Sequence, residues 1–183
     1  MGDIRIVAGR WGRRRLKVPR GRALRPTAER VREAWMSVLA ADLEDASVLD
    51  LFAGSGALGL EALSRGARHA TFVERDARAL RCLRANIAEL GAENLVTLVA
   101  GDVFEYLEGL AAAAFDIALA DPPYGRGLAN RLTERYVRSP FARILSVEHD
   151  PGERLSLPPG AEERRYGDTS IAFIAAALEE RGT

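Results

Sequence analysis

Residues 48–63 read VLDLFAGSGALGLEAL. The apolar start is typical of a buried strand, the glycines that follow are typical of a tight turn, and leucines at helical spacing come next. A strand that passes through Gly-x-Gly into a helix is how α/β proteins bring a nucleotide-like ligand close to bare backbone. The spacing of Gly54, Gly56 and Gly59 also fits the dinucleotide fingerprint, so this motif alone does not identify the ligand.

Strands and helices alternate from residue 46 onward, and this alternation predicts an α/β fold. Short loops and apolar strands indicate a Rossmann-like, mostly parallel sheet of seven strands with helices on both faces. The predicted strands span 47–52, 69–74, 95–100, 115–120 and 143–148, with a closing antiparallel hairpin over 162–166 and 169–175. The predicted helices span 57–65, 76–90 and 103–111, and one more lies within 125–138.

The N-terminal segment is strongly basic. Residues 1–32 carry eleven basic side chains and two acidic ones, whereas the chain of 183 residues has a net charge of zero. Alternating patterns over 3–8 and 15–18 predict a β-hairpin, and Thr27 is the candidate N-cap of the next helix. We therefore divide the chain into a basic N-terminal hairpin and arm, 1–26, and a domain spanning 27–183. This charge split favours a polyanionic partner such as nucleic acid over a merely solvated arm.

The composition excludes several classes of protein. The single Cys82 cannot form an internal disulfide, and the sequence contains no Cys/His cluster that would hold a metal. No apolar run approaches the roughly 18 residues of a membrane span, and the start lacks the apolar stretch of a signal peptide. We therefore expect a cytosolic protein without a metal, and a monomer, because we find one domain and no evident apolar patch.

Acidic residues fall where predicted strands end, which is where open α/β sheets bind ligands. Glu74 follows Gly56 at the distance where an acid accepts both hydroxyls of a ribose, and Asp102 could accept from an adenine amine. Each acid could instead cap a helix. An Asp at position 50 suits the cationic S-adenosylmethionine better than the pyrophosphate of NAD. The predicted cofactor-binding residues are Asp50, Phe52, Gly54, Ser55, Gly56, Glu74, Asp102 and Val103.

Asp121, Pro122, Pro123 and Tyr124 follow an apolar strand and are the predicted catalytic residues. An exocyclic amine on a planar ring is a poor nucleophile because its lone pair is conjugated into the ring. The Asp121 carboxylate and the Pro122 carbonyl, held by the restricted backbone of successive prolines, could grip the two amine hydrogens and free that lone pair. Tyr124 offers a rigid face on which an extruded base could stack. The pattern therefore predicts methyl transfer to a base amine. A simple strand-ending turn is the alternative.

The glycine turn with the Asp-Pro-Pro-Tyr tetrad is similar to amino-methyltransferases that use S-adenosylmethionine. Further segments make the family resemblance more specific: RIVAG at 5–9, LRPT at 24–27 followed by ERVREA at 29–34, and YGDT at 166–169. With them the chain resembles the bacterial 16S ribosomal RNA guanine-N2 methyltransferases, the family of ribosomal RNA small subunit methyltransferase D. The likeness covers nearly the whole chain.

The resemblance implies a class I methyltransferase fold and methylation of one guanine N2 in 16S ribosomal RNA, within an assembled or assembling small subunit. It implies that Glu74 and Asp102 hold the ribose and adenine, and that residues 121–124 hold the guanine. The family pattern has an apolar residue where this chain has Arg75. The residues expected to contact RNA are Arg10, Arg13, Arg14 and Arg15 of the arm, with Arg25, Thr27 and Arg30 at the RNA entrance.

Other functions stay open on the residues alone. An adenine-N6 DNA or RNA methyltransferase would use the same tetrad, although a chain this short has no separate domain for recognising a DNA sequence. A protein glutamine methyltransferase usually has Asn at the first tetrad position and would leave the basic arm unexplained. From a different class, the chain could be a non-catalytic RNA-binding module or a dinucleotide oxidoreductase. The oxidoreductase would bind NAD and would have no use for Tyr124.

Overall fold

The computed structural model describes residues 4–19 and 27–177. Its strands are β1 (Ile4–Arg5), β2 (Arg15–Leu16), β3 (Ser47–Leu51), β4 (His69–Glu74), β5 (Val96–Ala100), β6 (Phe115–Ala120), β7 (Ala142–His149), β8 (Glu162–Tyr166) and β9 (Thr169–Ala175). Its α-helices are α1 (Thr27–Val38), α2 (Ala40–Leu43), α3 (Ala57–Ser64), α4 (Ala77–Leu90), α5 (Val103–Glu108) and α6 (Leu128–Arg138). The predicted α/β alternation is confirmed.

Seven strands form one sheet in the order β5-β4-β3-β6-β7-β9-β8, and β1 pairs with β2 in a separate hairpin. The five strands from β5 to β7 run parallel, whereas β9 is antiparallel to both β7 and β8. The chain moves outward from β3 to β5 and then returns to the other side of β3 with β6. The carboxyl ends of the parallel strands therefore share one edge, with a topological switch point between β3 and β6.

Helices cover both faces of this sheet, as predicted. Successive residues of β6 point to opposite faces, so Ile117 joins the hydrophobic cluster that contains Trp35 of α1. Ala118 joins the cluster on the other face, which contains Leu132 of α6. Helices α1 to α4 contribute to the first cluster, and α5 and α6 contribute to the second.

The differences from the predicted elements lie at their ends. Helix α5 stops at Glu108 rather than 111 because Gly109 forms its C-cap. Thr27 is the first residue of α1 rather than its N-cap, and the short α2 was not predicted. The hairpin strands have two residues each, although the backbone of Ile6 still bonds across to residues 13 and 14. The predicted boundary at 26 falls beside residues outside the described ranges, so the two-part division stays a prediction.

A buried carboxylate fixes the N-terminal hairpin to α3. Glu61 is 0% exposed, and its oxygens accept hydrogen bonds from the backbone N–H groups of Val7 at 2.7 Å and Ala8 at 3.0 Å. The same carboxylate pairs with Arg65 at 2.8 Å and with Arg32 at 3.7 Å. A buried charge is tolerated only while its partners remain, so the hairpin and α3 stabilise one another.

A second buried side chain joins the end of the hairpin to the glycine turn. Asn86 of α4 accepts a hydrogen bond from the backbone N–H of Lys17 at 2.7 Å and donates to the carbonyls of Lys17 and Ser55, both at 2.9 Å. Asn86 is 1% exposed. Its three bonds therefore hold the chain that leaves the hairpin against the turn after β3.

No helix within the described ranges is long and apolar enough to cross a membrane.

We predict that Glu61→Ala lowers the free energy of unfolding by about 3 kcal/mol, because the variant leaves two backbone donors and two arginines without their acceptor. Urea unfolding followed by circular dichroism measures the change. Glu33→Ala, which removes an exposed acid from α1, is the control and should alter stability by less than about 0.5 kcal/mol. Equal stability of the two variants would contradict the role of Glu61.

Candidate active site

Two cavities open at the carboxyl edge of the parallel strands. The β4 cavity, of about 440 Å³, is lined by residues at the ends of β3, β4 and β5. The β6 cavity, of about 450 Å³, is lined by residues at the ends of β6 and β7, by the turn between β8 and β9, and by α1. Pro19 and Pro123 line both cavities, so the two share a wall. Both volumes fall within the roughly 300–1,000 Å³ of small-molecule sites.

The β4 cavity contains four of the predicted cofactor-binding residues. Phe52 and Val103 give it apolar walls, and Glu74 and Asp102 give it carboxylates. Phe52 also packs edge-on against Phe104 of α5, with ring centroids 6.3 Å apart, which fixes the apolar wall. This combination suits a flat aromatic ring joined to a sugar diol.

Glu74 holds the glycine turn in place. Its Oε2 accepts from the backbone N–H of Gly54 at 2.8 Å, and its Oε1 accepts from the N–H groups of Arg75 at 2.8 Å and Asp76 at 2.7 Å. A carboxylate has about four acceptor positions, so these bonds leave capacity for a ligand hydroxyl. The helix-cap alternative does not apply to Glu74, because the N-cap of α4 is Asp76.

Asp102 is the N-cap of α5, as the alternative interpretation proposed. Its Oδ1 accepts from the backbone N–H of Phe104 at 2.8 Å, and its Oδ2 pairs with the guanidinium of Arg75 at 3.3 Å. Arg75 itself lines the β4 cavity, at the position where the resemblance predicts an apolar residue. Contact of Asp102 with an adenine amine therefore stays a prediction, and the amine would share this carboxylate with Arg75.

Asp50, which lies beneath the glycine turn, and Gly56, which is part of it, are not among the residues that line the two cavities. Asp50 is 1% exposed, and its Oδ2 accepts from the backbone N–H of Gly59 at 2.8 Å. Burial raises the pKa of the Asp50 carboxyl well above its usual value. Gly56 has φ +84°, and a Cβ there would lie 2.4 Å from Leu83, so the turn requires glycine. Both residues shape the turn, and their direct contact with a cofactor stays a prediction.

The four predicted catalytic residues line the β6 cavity together with Gly54 and Ser55 of the glycine turn. Asp121 and Pro123 are exposed, whereas Pro122 is buried. The structure therefore brings the tetrad and the glycine turn to a common space. The sequence predicts this arrangement, in which a cofactor bound at the glycine turn lies next to a base held by the tetrad.

A hydrogen-bonded cluster holds the hydroxyl of Tyr124. The hydroxyl donates to Oε1 of Glu148 at 2.8 Å and also bonds the hydroxyl of Thr169, which donates to the same oxygen at 2.9 Å. Burial raises the pKa of the Tyr124 phenol, and the nearby charges of Glu148 and Asp121 raise it further. Tyr124 is therefore a neutral, fixed ring at the cavity wall.

The sequence interpretation missed several residues of the β6 cavity. Glu148 ends a predicted strand, so the rule that identified Glu74 and Asp102 could have identified it as well. Thr169 lies in the YGDT segment that supported the resemblance. The contributions of Pro19, from the arm, and Trp35, from α1, depend on tertiary packing that no local pattern indicates.

The residues expected to contact RNA lie in two places. Arg30 is exposed on α1, the helix that supplies part of the β6 cavity wall. The hairpin turn lies instead beside the C-terminal end of α3, where the N–H groups of Arg10 and Trp11 bond to Ser64. That end is about 10 Å from the cavities, which adjoin the N-terminal end of the helix. The exposed arginines at and after this turn are Arg10, Arg13, Arg14 and Arg15.

Two of the expected RNA contacts lie outside what the structure describes: residue Arg25 and the side chain of Thr27. Trp11 is partly buried against the hydrophobic cluster that contains Trp35, with the Arg10 guanidinium 4.0 Å from its ring centroid. Among the described residues, no group of three or more His, Cys, Asp or Glu is placed to hold a metal ion.

A family model described as Conserved hypothetical protein 95 matches residues 4–174. The chain is 46% identical to Ribosomal RNA small subunit methyltransferase D of Escherichia coli K12 over 127 residues, and the match spans 69% of this chain and 63% of that protein's length. The Haemophilus influenzae protein of the same name is 36% identical over 163 residues, which cover 86% of this chain and 84% of that protein.

The fold is also shared with a solved structure. A hypothetical protein of Thermus thermophilus superposes with a TM-score of 0.80 at 31% identity, covering 94% of this chain and 99% of that chain. The matches extend over most of this chain, from the hairpin to β9. The chain therefore belongs to the Conserved hypothetical protein 95 family, with ribosomal RNA small subunit methyltransferase D among its relatives, and the predicted family resemblance is confirmed.

Proposed function

We propose that this chain transfers a methyl group from S-adenosylmethionine to the exocyclic N2 of a guanine in the 16S ribosomal RNA of the small subunit. The observation that carries this proposal is that Pro123 of the tetrad lines both cavities. The β4 cavity, which contains predicted cofactor-binding residues, therefore adjoins the β6 cavity, which contains the predicted catalytic residues. Relatives named for methylation of small-subunit ribosomal RNA support the substrate class.

The residues of the β4 cavity fit adenosine. Glu74 retains acceptor capacity for a ribose hydroxyl, and Phe52 and Val103 supply apolar faces for the adenine. The turn at Gly54 and Ser55, which lines the β6 cavity, would receive the part of the cofactor nearest the tetrad. S-adenosylmethionine held by these residues would supply an electrophilic methyl group on its sulfonium and would leave as S-adenosylhomocysteine.

The tetrad acts on the amine. The Asp121 carboxylate and the Pro122 carbonyl accept hydrogen bonds from the two N2 hydrogens, which draws the lone pair out of conjugation with the ring. Methyl transfer would form the N2–CH3 bond and break the S–CH3 bond, and the electron pair of the broken bond would stay on sulfur. One N2 proton then passes to Asp121 and on to water. Tyr124, held by Glu148 and Thr169, provides the stacking face that keeps the amine in line.

The arm supplies a second RNA contact away from the target base. Its exposed arginines lie at the far end of α3 from the cavities, so they would bind backbone phosphates of an extended RNA rather than the base itself. An extended RNA fits a substrate in an assembled or assembling small subunit. The cytosolic location and the monomeric state remain predictions.

Two alternatives make different demands on this site. An adenine-N6 methyltransferase would use the same tetrad but a different base edge. A dinucleotide oxidoreductase would place a nicotinamide where the tetrad lies and would need an anion site for pyrophosphate. Such an enzyme would have no use for Tyr124, which lines the β6 cavity.

Nucleoside mass spectrometry tests the proposal. Small subunits from a strain that lacks the gene are analysed before and after incubation with the purified protein and S-adenosylmethionine. We expect one N2-methylguanosine to be absent before incubation and present afterwards, and its position identifies the target guanine. A gain of N6-methyladenosine, or no gain, would contradict the proposal.

Asp121→Ala should leave the affinity for S-adenosylhomocysteine within about twofold of the native value, because Asp121 lies in the β6 cavity rather than the β4 cavity. Methyl transfer should fall by at least about a hundredfold, since the variant loses the acceptor and the proton carrier. Calorimetry measures the affinity, and transfer of tritiated methyl groups measures the rate. Normal turnover by this variant would refute the mechanism.

Reversing Arg13, Arg14 and Arg15 to Glu should weaken RNA binding. The slope of log Kd against log salt concentration should also become shallower by up to about three, roughly one for each phosphate that the variant no longer neutralises. Filter binding at several salt concentrations gives both values. Arg138→Glu, at an exposed position at the end of α6, is the control and should leave the slope unchanged. An unchanged slope in the triple variant would remove the arm from the RNA interface.

A further inference from the structure

Glu148 is an acidic residue that lines the β6 cavity, and its bond to Tyr124 does not explain why a carboxylate is present there. It lies at the carboxyl end of β7, is half-buried, and lines the β6 cavity with the whole tetrad. The mechanism above uses it only to hold a tyrosine hydroxyl. Uncharged side chains could hold that hydroxyl equally well, so a carboxylate at this place suggests a further partner.

Strand register places Glu148 beside Asp121. Ala120, the last residue of β6, pairs with Val147 of β7 in a parallel ladder, so the residues that follow them along the chain are Asp121 and Glu148. Neighbouring strands lie about 4.8 Å apart, and residues at the same level point to the same side. The charges of both acids also act on the phenol of Tyr124. Two carboxylates therefore face one cavity from adjacent strands.

Only one oxygen of Glu148 is used within the described part of the chain. Both hydroxyl donors, from Tyr124 and Thr169, bond to Oε1. Among the described residues, none donates a hydrogen bond to Oε2. The two bonds to Oε1 fix the carboxylate, and Oε2 keeps its acceptor capacity for a ligand.

We propose that Glu148 is the residue that selects guanine, by accepting the N1–H of the base while Asp121 and Pro122 hold its N2 amine. This inference rests on the proposed function. On the Watson–Crick edge of guanine, the N1–H and the N2 amine are adjacent donors, and two adjacent carboxylates match them. Adenine carries a lone pair at N1, which would face the negative charge of Glu148 without a proton between them. The same carboxylate therefore rejects adenine and accepts guanine.

The expected preference for guanine follows from the cost of leaving the Glu148 carboxylate without a donor when the base has no N1–H. A site built to receive a hydrogen bond rejects an analogue that lacks the donor far more strongly than an apolar pocket rejects a change of size. Each well-placed base contact discriminates by about 10- to 100-fold. The contact between the Glu148 carboxylate and the guanine N1–H involves a charged acceptor inside the β6 cavity, so its discrimination should lie at the upper end of that range.

The test uses RNA in which the target guanine, mapped as above, is replaced by 2-aminopurine. This base keeps the 2-amino group but has a lone pair at N1 and lacks O6. We expect the native protein to methylate guanine about 100-fold faster than 2-aminopurine. In Glu148→Gln the amide oxygen can still accept from Tyr124 and Thr169, while the amide nitrogen can donate to N1. The preference of this variant for guanine should therefore fall at least tenfold.

Thr169→Val is the control, because it removes one of the two hydroxyl donors to Oε1 and leaves the carboxylate intact. Its overall rate should fall, but its ratio of guanine to 2-aminopurine methylation should equal that of the native protein. Loss of O6 affects all three proteins alike, so a change in the ratio isolates the N1 contact. Thermal unfolding shows whether each variant is folded.

Two outcomes would overturn this assignment. One is native protein that methylates 2-aminopurine as fast as guanine, a result that needs no variant. The other is a Glu148→Gln variant that keeps the native ratio. In both cases guanine methylation by the native protein would leave the proposed function intact, whereas absence of guanine methylation would contradict the proposed function itself.

Discussion

The parallel register of β6 with its two neighbours is the constraint on which the rest of the structure depends. Ala120 pairs with Leu51 of β3 on one side and with Val147 of β7 on the other, so these three residues lie at one level, at which β3 and β6 end while β7 continues to His149. The glycine turn, the tetrad and Glu148 are the segments that follow these residues. A slip of one residue in either pairing would turn these side chains to the opposite face. The hydrogen bonds that stabilise the sheet therefore also set which groups share the β6 cavity.

Buried polar side chains extend this constraint to the N-terminal hairpin. Glu61 binds the backbone of the hairpin, and Asn86 binds both the chain that leaves it and the glycine turn. As a result, Pro19 forms part of the wall of both cavities. The basic arm is therefore a structural part of the site at Pro19, and its exposed arginines form the surface proposed to bind RNA. Loss of the hairpin contacts would affect the site as well as this proposed RNA contact.

Hydrophobic patterning predicted the sheet because each parallel strand is an apolar run bounded by turn residues, and the predicted strands differ from the observed ones by a residue or so at the ends. The acids at the strand ends were predicted because the same pattern shows where each strand ends, and open α/β sheets bind ligands there. The helix cap formed by Asp102 was one of the predicted alternatives, but the other partners were not predicted: Asp50 is buried against Gly59, Glu74 holds Gly54, and Asp102 also pairs with Arg75. These partners approach through loops and helix packing, so their distances depend on the whole fold. Glu148 was missed although the same rule applied to it.

A crystal structure of the protein with S-adenosylhomocysteine tests the central claim most directly, because the claim concerns two adjoining cavities that meet at one proline-rich segment. We predict that the adenosine lies between Phe52 and Val103 with its ribose on Glu74, and that the sulfur lies at the shared wall, facing the Asp121 carboxylate and the Tyr124 ring. Adenosylhomocysteine bound elsewhere, or a sulfur directed away from the tetrad, would contradict the claim.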